Sequence, residues 1–294
     1  MQPVTIIMPP GDMNPIGVMT FVHGMCEHRK RYEKIMETYS EKGYVCAMMD
    51  LKGHGDNINN LDELGFVGKK GYMQYIDDLH DFIIYLKREY PGIPLILVGH
   101  SMGSLIARVY TKLHDDMIDC LILSGSPSYN KATGLGKVLV RLTALINGWD
   151  YRSPMIAEMV TGTFEKPFAK EGIKNSWLSS DTGVATLYNK DSLCGFTYTL
   201  NGYMALLNLI SQTYTEKGWV LKNPKLRIAF LSGGDDPCRI NDKKFKKAVE
   251  LMRNVGYRRV TSKLFPGMRH EIFNEIRVRD VYECIDDVLS TIYK

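Results

Sequence analysis

Short apolar runs alternate with helix-like stretches along much of the chain. Six runs have the length of a strand: Val18–Val22, Val45–Met49, Leu95–Val98, Cys120–Leu123, Leu226–Leu231 and Val260–Phe265. As a group they are largely apolar instead of alternating, which is typical of parallel strands that are covered on both faces. Between the runs, Ile76, Leu79, Ile83 and Leu86 recur at spacings of three and four, as on one face of a helix. The alternation predicts a doubly wound, mostly parallel α/β sheet.

The alternation is interrupted in the middle of the chain. Helix-like apolar clusters, such as those at Val138–Val140 and Leu206–Leu207, continue through this part without a convincing strand. A chain of 294 residues can bury one large α/β core and still carry an inserted subdomain. We therefore predict an α/β core formed by residues 1–124 and 224–294, with residues 125–223 inserted as a helical cap.

Composition and charge exclude several classes of function. The net charge is +4 and the basic residues stand in short clusters, so we predict no nucleic-acid partner. The six cysteines are far apart and form no CxxC pair, which argues against a cysteine metal cluster and suits a reducing compartment. No run approaches the ~20 apolar residues of a membrane span, and we predict no signal peptide. The expectation is a soluble, cytoplasmic protein of undetermined oligomeric state, compatible with transient contact at a membrane surface.

The segment Gly99-His100-Ser101-Met102-Gly103 fits the pattern G-x-S-x-G, with a strand before it and a helix after it. This context predicts a nucleophile elbow, which is a strained turn that holds the serine oxygen above the sheet edge. The two glycines of the pattern allow the backbone segments around the turn to pass close to one another. The start of the helix also presents backbone N–H groups to negative charge. Ser101 is the candidate nucleophile. The alternative is a plain βα turn capped by a serine.

A serine nucleophile needs a base and an acid that orients the base. In a sheet of this kind the acid and then the histidine follow the serine at later strand ends. Asp235 and Asp236 come directly after an apolar strand, and His270 lies in a loop after the last strand. His270 is the candidate base, with a surface or capping histidine as the alternative, and Asp236 is the candidate acid with Asp235 as its close competitor.

The oxyanion that forms during ester cleavage needs two N–H donors. We expect one from Met102, the residue after the candidate nucleophile. We expect the other from Met25, in the loop after the strand that ends at Val22, because Gly24 lets this loop turn sharply. A simple βα loop is the alternative for the second segment.

Five segments together resemble the monoacylglycerol lipase and lysophospholipase group of α/β-hydrolases. They are also similar to serine aminopeptidase-like hydrolases. The segments are HGMCEHRKRY (23–32), DLKGHG (50–55), GHSMGS (99–104), SGGDDPC (232–238) and FPGMRHE (265–271). The resemblance implies an α/β-hydrolase fold with a cap over the active site. Lys52 departs from the arginine that is usual in the group, and the short N-terminus implies that one edge strand of the usual eight is missing.

The resemblance also implies roles for single residues. Ser101 matches the nucleophile, His270 the base, and Met25 and Met102 the oxyanion positions. Asp236 matches the acid in the pattern G-x-x-D of the group.

The implied function is a serine hydrolase that cleaves carboxylic esters without a metal or organic cofactor. Monoacylglycerols or lysophospholipids are the leading substrates, because a cap rich in Leu, Met and Trp suits an acyl chain. A cap that buries its own small core would show the same composition. A small aryl or alkyl esterase, a thioesterase or a peptidase would use the same triad. A ligand-binding protein without turnover is the remaining alternative.

Overall fold

The computed structural model describes residues 2–292, which form one seven-stranded sheet with flanking helices. The strands are β1 (Val4–Ile7), β2 (Gly17–Val22), β3 (Tyr44–Met49), β4 (Leu95–His100), β5 (Cys120–Ser124), β6 (Arg227–Gly233) and β7 (Arg259–Phe265). The α-helices are α1 (Glu33–Ser40), α2 (Tyr72–Glu89), α3 (Met102–His114), α4 (Thr133–Asn147), α5 (Pro154–Thr161), α6 (Thr182–Lys190), α7 (Leu200–Thr213), α8 (Asp242–Asn254) and α9 (Val278–Ser290).

The strands follow the order β1-β3-β2-β4-β5-β6-β7 across the sheet. β1 runs antiparallel to β3, and the remaining pairs are parallel. The predicted doubly wound, mostly parallel sheet is therefore confirmed. Within the described residues the sheet has seven strands, one fewer than the eight usual in the group, in line with the expectation of a missing edge strand.

Side chains of the central strands enter two large apolar clusters. Leu97 of β4 joins the cluster that contains Leu105 of α3, whereas its neighbours Ile96 and Val98 join the cluster that contains Ile285 of α9. Successive side chains of a strand point to opposite faces, so the two clusters cover the two faces of the sheet. This burial explains why the strand sequences are apolar throughout.

The last strand departs from the expectation of burial on both faces. β7 is the outermost strand and pairs with β6, and its residues Arg259, Thr261, Ser262 and Lys263 are exposed. The expectation is wrong for this strand because the flanking helices cover the sheet edge only in part. Charged side chains on such an edge hinder pairing with another chain.

The segment between β5 and β6 carries helices α4 to α7, and we call residues 125–223 the cap. Val140 of α4 is buried in the apolar cluster that also contains Leu206 and Leu207 of α7, whereas Leu142, Leu145 and Ile146 of the same helix are exposed. Only some of the apolar residues of α4 therefore belong to the buried core, and the others face outward. None of the helices within residues 2–292 combines the length and the apolar character needed to cross a bilayer.

Candidate active site

Ser101 lies in the tight turn between β4 and α3. Its backbone angles, φ 51° and ψ −121°, are strained for a residue with a side chain. A Cβ atom on Gly103 would stand 2.1 Å from the carbonyl oxygen of Val22, and one on Gly99 would stand 2.5 Å from that of Gly103. Both glycines are needed because the backbone passes so closely. This geometry supports the predicted nucleophile elbow, which stays a prediction.

His270 and Asp236 lie together at the ends of β7 and β6. The Nδ1 atom of His270 is 3.0 Å from Oδ1 of Asp236, and both side chains are buried. Asp236 also accepts hydrogen bonds from the Cys238 amide at 2.8 Å and from the Ser232 hydroxyl at 3.2 Å. Asp235 is exposed, and its amide donates to the carbonyl of Met268. The geometry therefore favours Asp236 as the partner of His270.

The two predicted oxyanion donors border the same cavity as Ser101. Met102 is the first residue of α3, where an N–H group has no acceptor within its own helix. Met25 follows Gly24, whose amide donates to Oε1 of Glu27 at 2.5 Å. A Cβ atom on Gly24 would stand 3.1 Å from the Cβ of Ser101, so this loop passes directly beside the serine.

His100 packs behind the candidate base. Its ring centre is 4.8 Å from that of His270, and its Nδ1 lies 3.1 Å from the hydroxyl oxygen of Ser124. Burial, followed by the nearby His270, lowers the pKa of His100 to about 4. His100 is therefore neutral at physiological pH and adds no charge beside the candidate base.

A cavity of about 780 Å³ opens between the α/β core and the cap, with Ser101 and His270 in its lining. One set of lining residues is apolar and comes from the cap: Val140, Ile156, Leu206, Leu207 and Ile210. Polar side chains, among them Thr163 and Asn175, line the cavity as well. A space of this size and character suits a small ligand with an apolar part.

A family model described as serine aminopeptidase, S33, matches residues 13–277. The chain belongs to this family. It is 25% identical to a monoacylglycerol lipase of Mycolicibacterium smegmatis, over 96% of this chain and 89% of that protein. It is 24% identical to a phospholipase of Bacillus subtilis, over 92% of this chain and 93% of that protein.

A solved structure supports the same grouping. The crystal structure of a thermostable carboxyl esterase from Bacillus coagulans, in complex with glycerol, matches with a TM-score of 0.88 at 26% identity, covering 98% of this chain and 93% of that one. The predicted α/β-hydrolase fold, the resemblance to the monoacylglycerol lipase group and the class of carboxylic-ester hydrolase are confirmed. The roles of single residues stay predictions.

The protonation of His270 in this hydrolase depends on Asp236. Burial is the largest single influence and lowers the pKa of His270, but the attraction of the Asp236 carboxylate, its hydrogen bond to the ring and the contact with Cys238 together outweigh burial, so the pKa lies well above its ordinary value. Cys238 is the other neighbour, with its Sγ 3.9 Å from Nε2 of His270. Burial raises the pKa of the Cys238 thiol to about 11, so this thiol is uncharged at neutral pH. Asp236 therefore supplies the negative charge.

We expect kcat/KM for ester hydrolysis to rise with pH through an inflection above pH 6.5, the ordinary pKa of histidine. A general base works only when it is neutral, and the raised pKa of His270 keeps the ring protonated to higher pH. In Asp236→Asn the inflection should move to lower pH, because the attractive charge is lost while burial remains. Initial rates between about pH 5 and pH 9 measure both profiles. An inflection that stays in place in Asp236→Asn would contradict the assignment.

A buried charge network connects the loop of Met25 with the loop of His270. Arg31 donates to Glu27 at 2.6 Å and makes two hydrogen bonds to Glu271, at 2.7 and 2.6 Å. Burial alone raises the pKa of Glu27, but the charge of Arg31, together with smaller contributions from neighbouring histidines and the Gly24 amide, outweighs burial and lowers this pKa to about 2. The sequence patterns above indicate no role for these residues. The available signal was the spacing of Glu27 and Arg31 in the segment HGMCEHRKRY.

Proposed function

We propose that this hydrolase cleaves the ester bond of monoacylglycerols or lysophospholipids, with Ser101 as nucleophile, His270 as base and Asp236 as the acid that orients it. The observation that carries the proposal is one cavity that borders Ser101 and His270 and has an apolar lining from the cap. The names of the relatives, a monoacylglycerol lipase and a phospholipase, support the same class of substrate.

The first half of the reaction transfers the acyl group to the enzyme. The hydroxyl oxygen of Ser101 attacks the carbonyl carbon while its proton passes to Nε2 of His270, and Asp236 stabilises the charged ring. The amides of Met25 and Met102 donate to the oxyanion of the tetrahedral intermediate. The intermediate then collapses, the proton moves from His270 to the leaving alcohol oxygen, and an acyl-serine remains.

The second half of the reaction releases the fatty acid. Water gives a proton to Nε2 of His270 and attacks the acyl carbon, and the same two amides stabilise the second oxyanion. The proton returns from His270 to the oxygen of Ser101 as the ester bond breaks. The enzyme is restored, and the products are a carboxylic acid and an alcohol.

A substrate panel tests the proposed class of substrate. Each methylene buried in the apolar part of the cavity should raise kcat/KM up to about fourfold, since a buried methylene contributes about 0.8 kcal/mol. We therefore expect monoacylglycerols and lysophospholipids with medium or long acyl chains to exceed acetyl esters by orders of magnitude. Thioesters and aminoacyl amides of matched length belong in the same panel. Hydrolysis confined to short aryl esters, or faster cleavage of the amides, would overturn the lipid assignment.

We further propose that the cap makes transient contact with anionic lipid surfaces. Exposed apolar side chains follow one another on α4 and just beyond it: Leu135, Val138, Leu142, Leu145, Ile146 and Trp149. From residue 120 to residue 149 the chain carries Lys131, Lys137 and Arg141 and no acidic residue. An apolar strip next to basic residues is typical of helices that lie on anionic membranes.

The position of α4 relative to the cavity supports this contact. Gly136 and Val140 of α4 line the cavity, while Leu145 and Ile146 are 83% and 84% exposed. A lipid surface against α4 would therefore stand beside the cavity. The cytoplasmic location stays a prediction from the sequence.

The double substitution Leu145→Ser with Ile146→Ser is expected to weaken binding to phosphatidylglycerol vesicles by at least about tenfold, because two apolar side chains that would enter the lipid surface are lost. Sedimentation with the vesicles measures the bound fraction. Hydrolysis of a water-soluble short ester should stay unchanged. Ile276→Ser is the matched control, since Ile276 is 71% exposed and lies outside the cap. Equal weakening in the control, or none in the double variant, would refute the contact.

A further inference from the structure

Three side chains with metal-binding atoms meet where the loop after β2 touches the cap. A ring nitrogen of His28, a carboxylate oxygen of Asp191 and the sulfur of Cys194 all lie within 4.8 Å of one another. The Nε2 atom of His28 is 2.8 Å from Oδ2 of Asp191. We propose that these three residues bind one Zn²⁺ ion, at a site separate from the reacting atoms of the proposed mechanism.

The types of donor atom fit Zn²⁺ in particular. Imidazole nitrogen, carboxylate oxygen and thiolate sulfur are its usual ligands, at about 2.0 to 2.3 Å, which corresponds to ligand separations of roughly 3.3 to 3.7 Å. The present separations, 2.8 Å between His28 and Asp191 and no more than 4.8 Å among the three atoms, lie on both sides of this range. On binding, the thiol of Cys194 releases its proton to solvent. The thiolate and the carboxylate of Asp191 then balance both charges of the ion.

The surroundings leave the ion a way in and a fourth position. His28 and Cys194 are buried, but the side chain of Asp191 is 35% exposed, so water can complete a tetrahedral shell from that side. Within the described part of the chain, Nδ1 of His28 has no hydrogen-bond partner. Binding of the metal at Nε2 replaces the hydrogen bond of this nitrogen to Asp191 and requires the ring proton on Nδ1.

The nearest cation does not prevent binding. Arg31 lies over the ring of Tyr188, 4.9 Å from its centre, in the same region as Cys194. Its charge is balanced by two carboxylates, those of Glu27 and Glu271, each 2.6 Å away. The site therefore does not present an unbalanced positive charge to the ion.

A second group of the same kind, Asp236, Cys238 and His270, is less suitable. The carboxylate of Asp236 is fully buried and already accepts hydrogen bonds from the hydroxyl of Ser232 and the amide of Cys238, beside its contact with Nδ1 of His270. An ion would have to displace these contacts without an exposed side from which to enter. The two groups can be told apart because each contains a different cysteine.

Metal at the proposed site would fasten the cap to the loop of Met25. The carbonyl oxygen of Cys26 already accepts hydrogen bonds from the amide of Gly195 at 3.0 Å and from the hydroxyl of Tyr188 at 2.9 Å. His28 belongs to the same loop as Cys26, and Cys194 precedes Gly195. Zn²⁺ would add a further connection between these two segments.

The test is a Zn²⁺ titration of the full chain, without a histidine tag and after removal of metals with EDTA, in competition with a chromophoric chelator. We expect one Zn²⁺ per chain. Cys194→Ser should raise the Kd for Zn²⁺ by at least about 100-fold, because losing a residue that binds the metal directly costs more affinity than losing a residue that only hydrogen-bonds to a ligand. Cys284→Ser, on α9, and Cys238→Ser should bind as the natural chain does. Co²⁺ should give a thiolate charge-transfer band that disappears only in Cys194→Ser.

Three results would overturn the proposal: no stoichiometric binding by the natural chain, unchanged binding by Cys194→Ser, or loss of binding in Cys238→Ser instead. Circular dichroism checks that each variant is folded. If Cys194→Ser does not fold, Asp191→Asn takes its place with the same expected weakening, because this side chain is partly exposed. The readout is metal binding alone, so it is independent of ester hydrolysis.

Discussion

Ser101→Ala is expected to lower kcat for ester hydrolysis by about 10⁶-fold. The substitution removes the oxygen that forms the acyl-enzyme, so only the oxyanion donors and substrate binding remain, and these give roughly 10³- to 10⁴-fold acceleration over water. Initial rates with a monoacylglycerol and with a p-nitrophenyl ester measure the loss. The effect should be the same for both substrates, because the nucleophile acts on the carbonyl group that they share.

A second serine of the same cavity provides the control for this loss. Ser128 lines the cavity, and its hydroxyl is buried without a hydrogen-bond partner among the described residues. Ser128→Ala should therefore keep its rate within a few-fold of the natural enzyme. Thermal unfolding of Ser101→Ala should match that of the natural chain, which would exclude misfolding as the cause. More than about 1% residual kcat in a pure, folded Ser101→Ala would contradict its role.

Asp236→Asn is expected to lower kcat by about 10⁴-fold, while Asp235→Asn should change it by no more than a few-fold. An amide in place of the Asp236 carboxylate removes the charge that stabilises the protonated ring and favours the wrong ring tautomer of His270. Asp235 is exposed and contacts Met268 through its backbone amide, which the substitution retains. The two variants differ by one position in the chain, so each is the control for the other. The reverse result would assign the acid to Asp235.

The sheet could be predicted well because buried parallel strands leave a plain signal. β4 and β5 begin at Leu95 and Cys120, as predicted, and extend one or two residues beyond the apolar runs. The burial of β7 was not predictable in the same way. Its apolar residues, such as Val260 and Phe265, mark a strand, but position at the edge of a sheet depends on which strands pair.

The part of the candidate site that could be predicted is the part marked by the order of residues along the chain and by the G-x-S-x-G pattern. Ser101 and His270 follow from the elbow and from the last strand end. Spacing alone does not separate Asp236 from Asp235, since both follow the same strand. The contact with His270 separates them, and it depends on which way each side chain turns out of β6.

Contacts between distant parts of the chain were outside the reach of sequence patterns. Arg31 and Glu271 pair across 240 positions, and the spacing of residues near Arg31 does not indicate such a partner. The apolar residues of α4 could be assigned to a helix but not to a surface, because periodicity shows which residues share a face and not what that face meets. Cys194 likewise comes close to His28 only in the folded chain.

Labelling with a fluorophosphonate probe tests the central claim most directly, because the probe reacts with a serine only when a base and an oxyanion site activate it. The natural enzyme would be treated with the probe, digested and analysed by mass spectrometry. We predict one modified residue, Ser101, with labelling abolished in Ser101→Ala and strongly slowed in His270→Gln. A folded natural enzyme that stays unlabelled, or that carries the label on another residue, would contradict the assignment of Ser101 as the nucleophile.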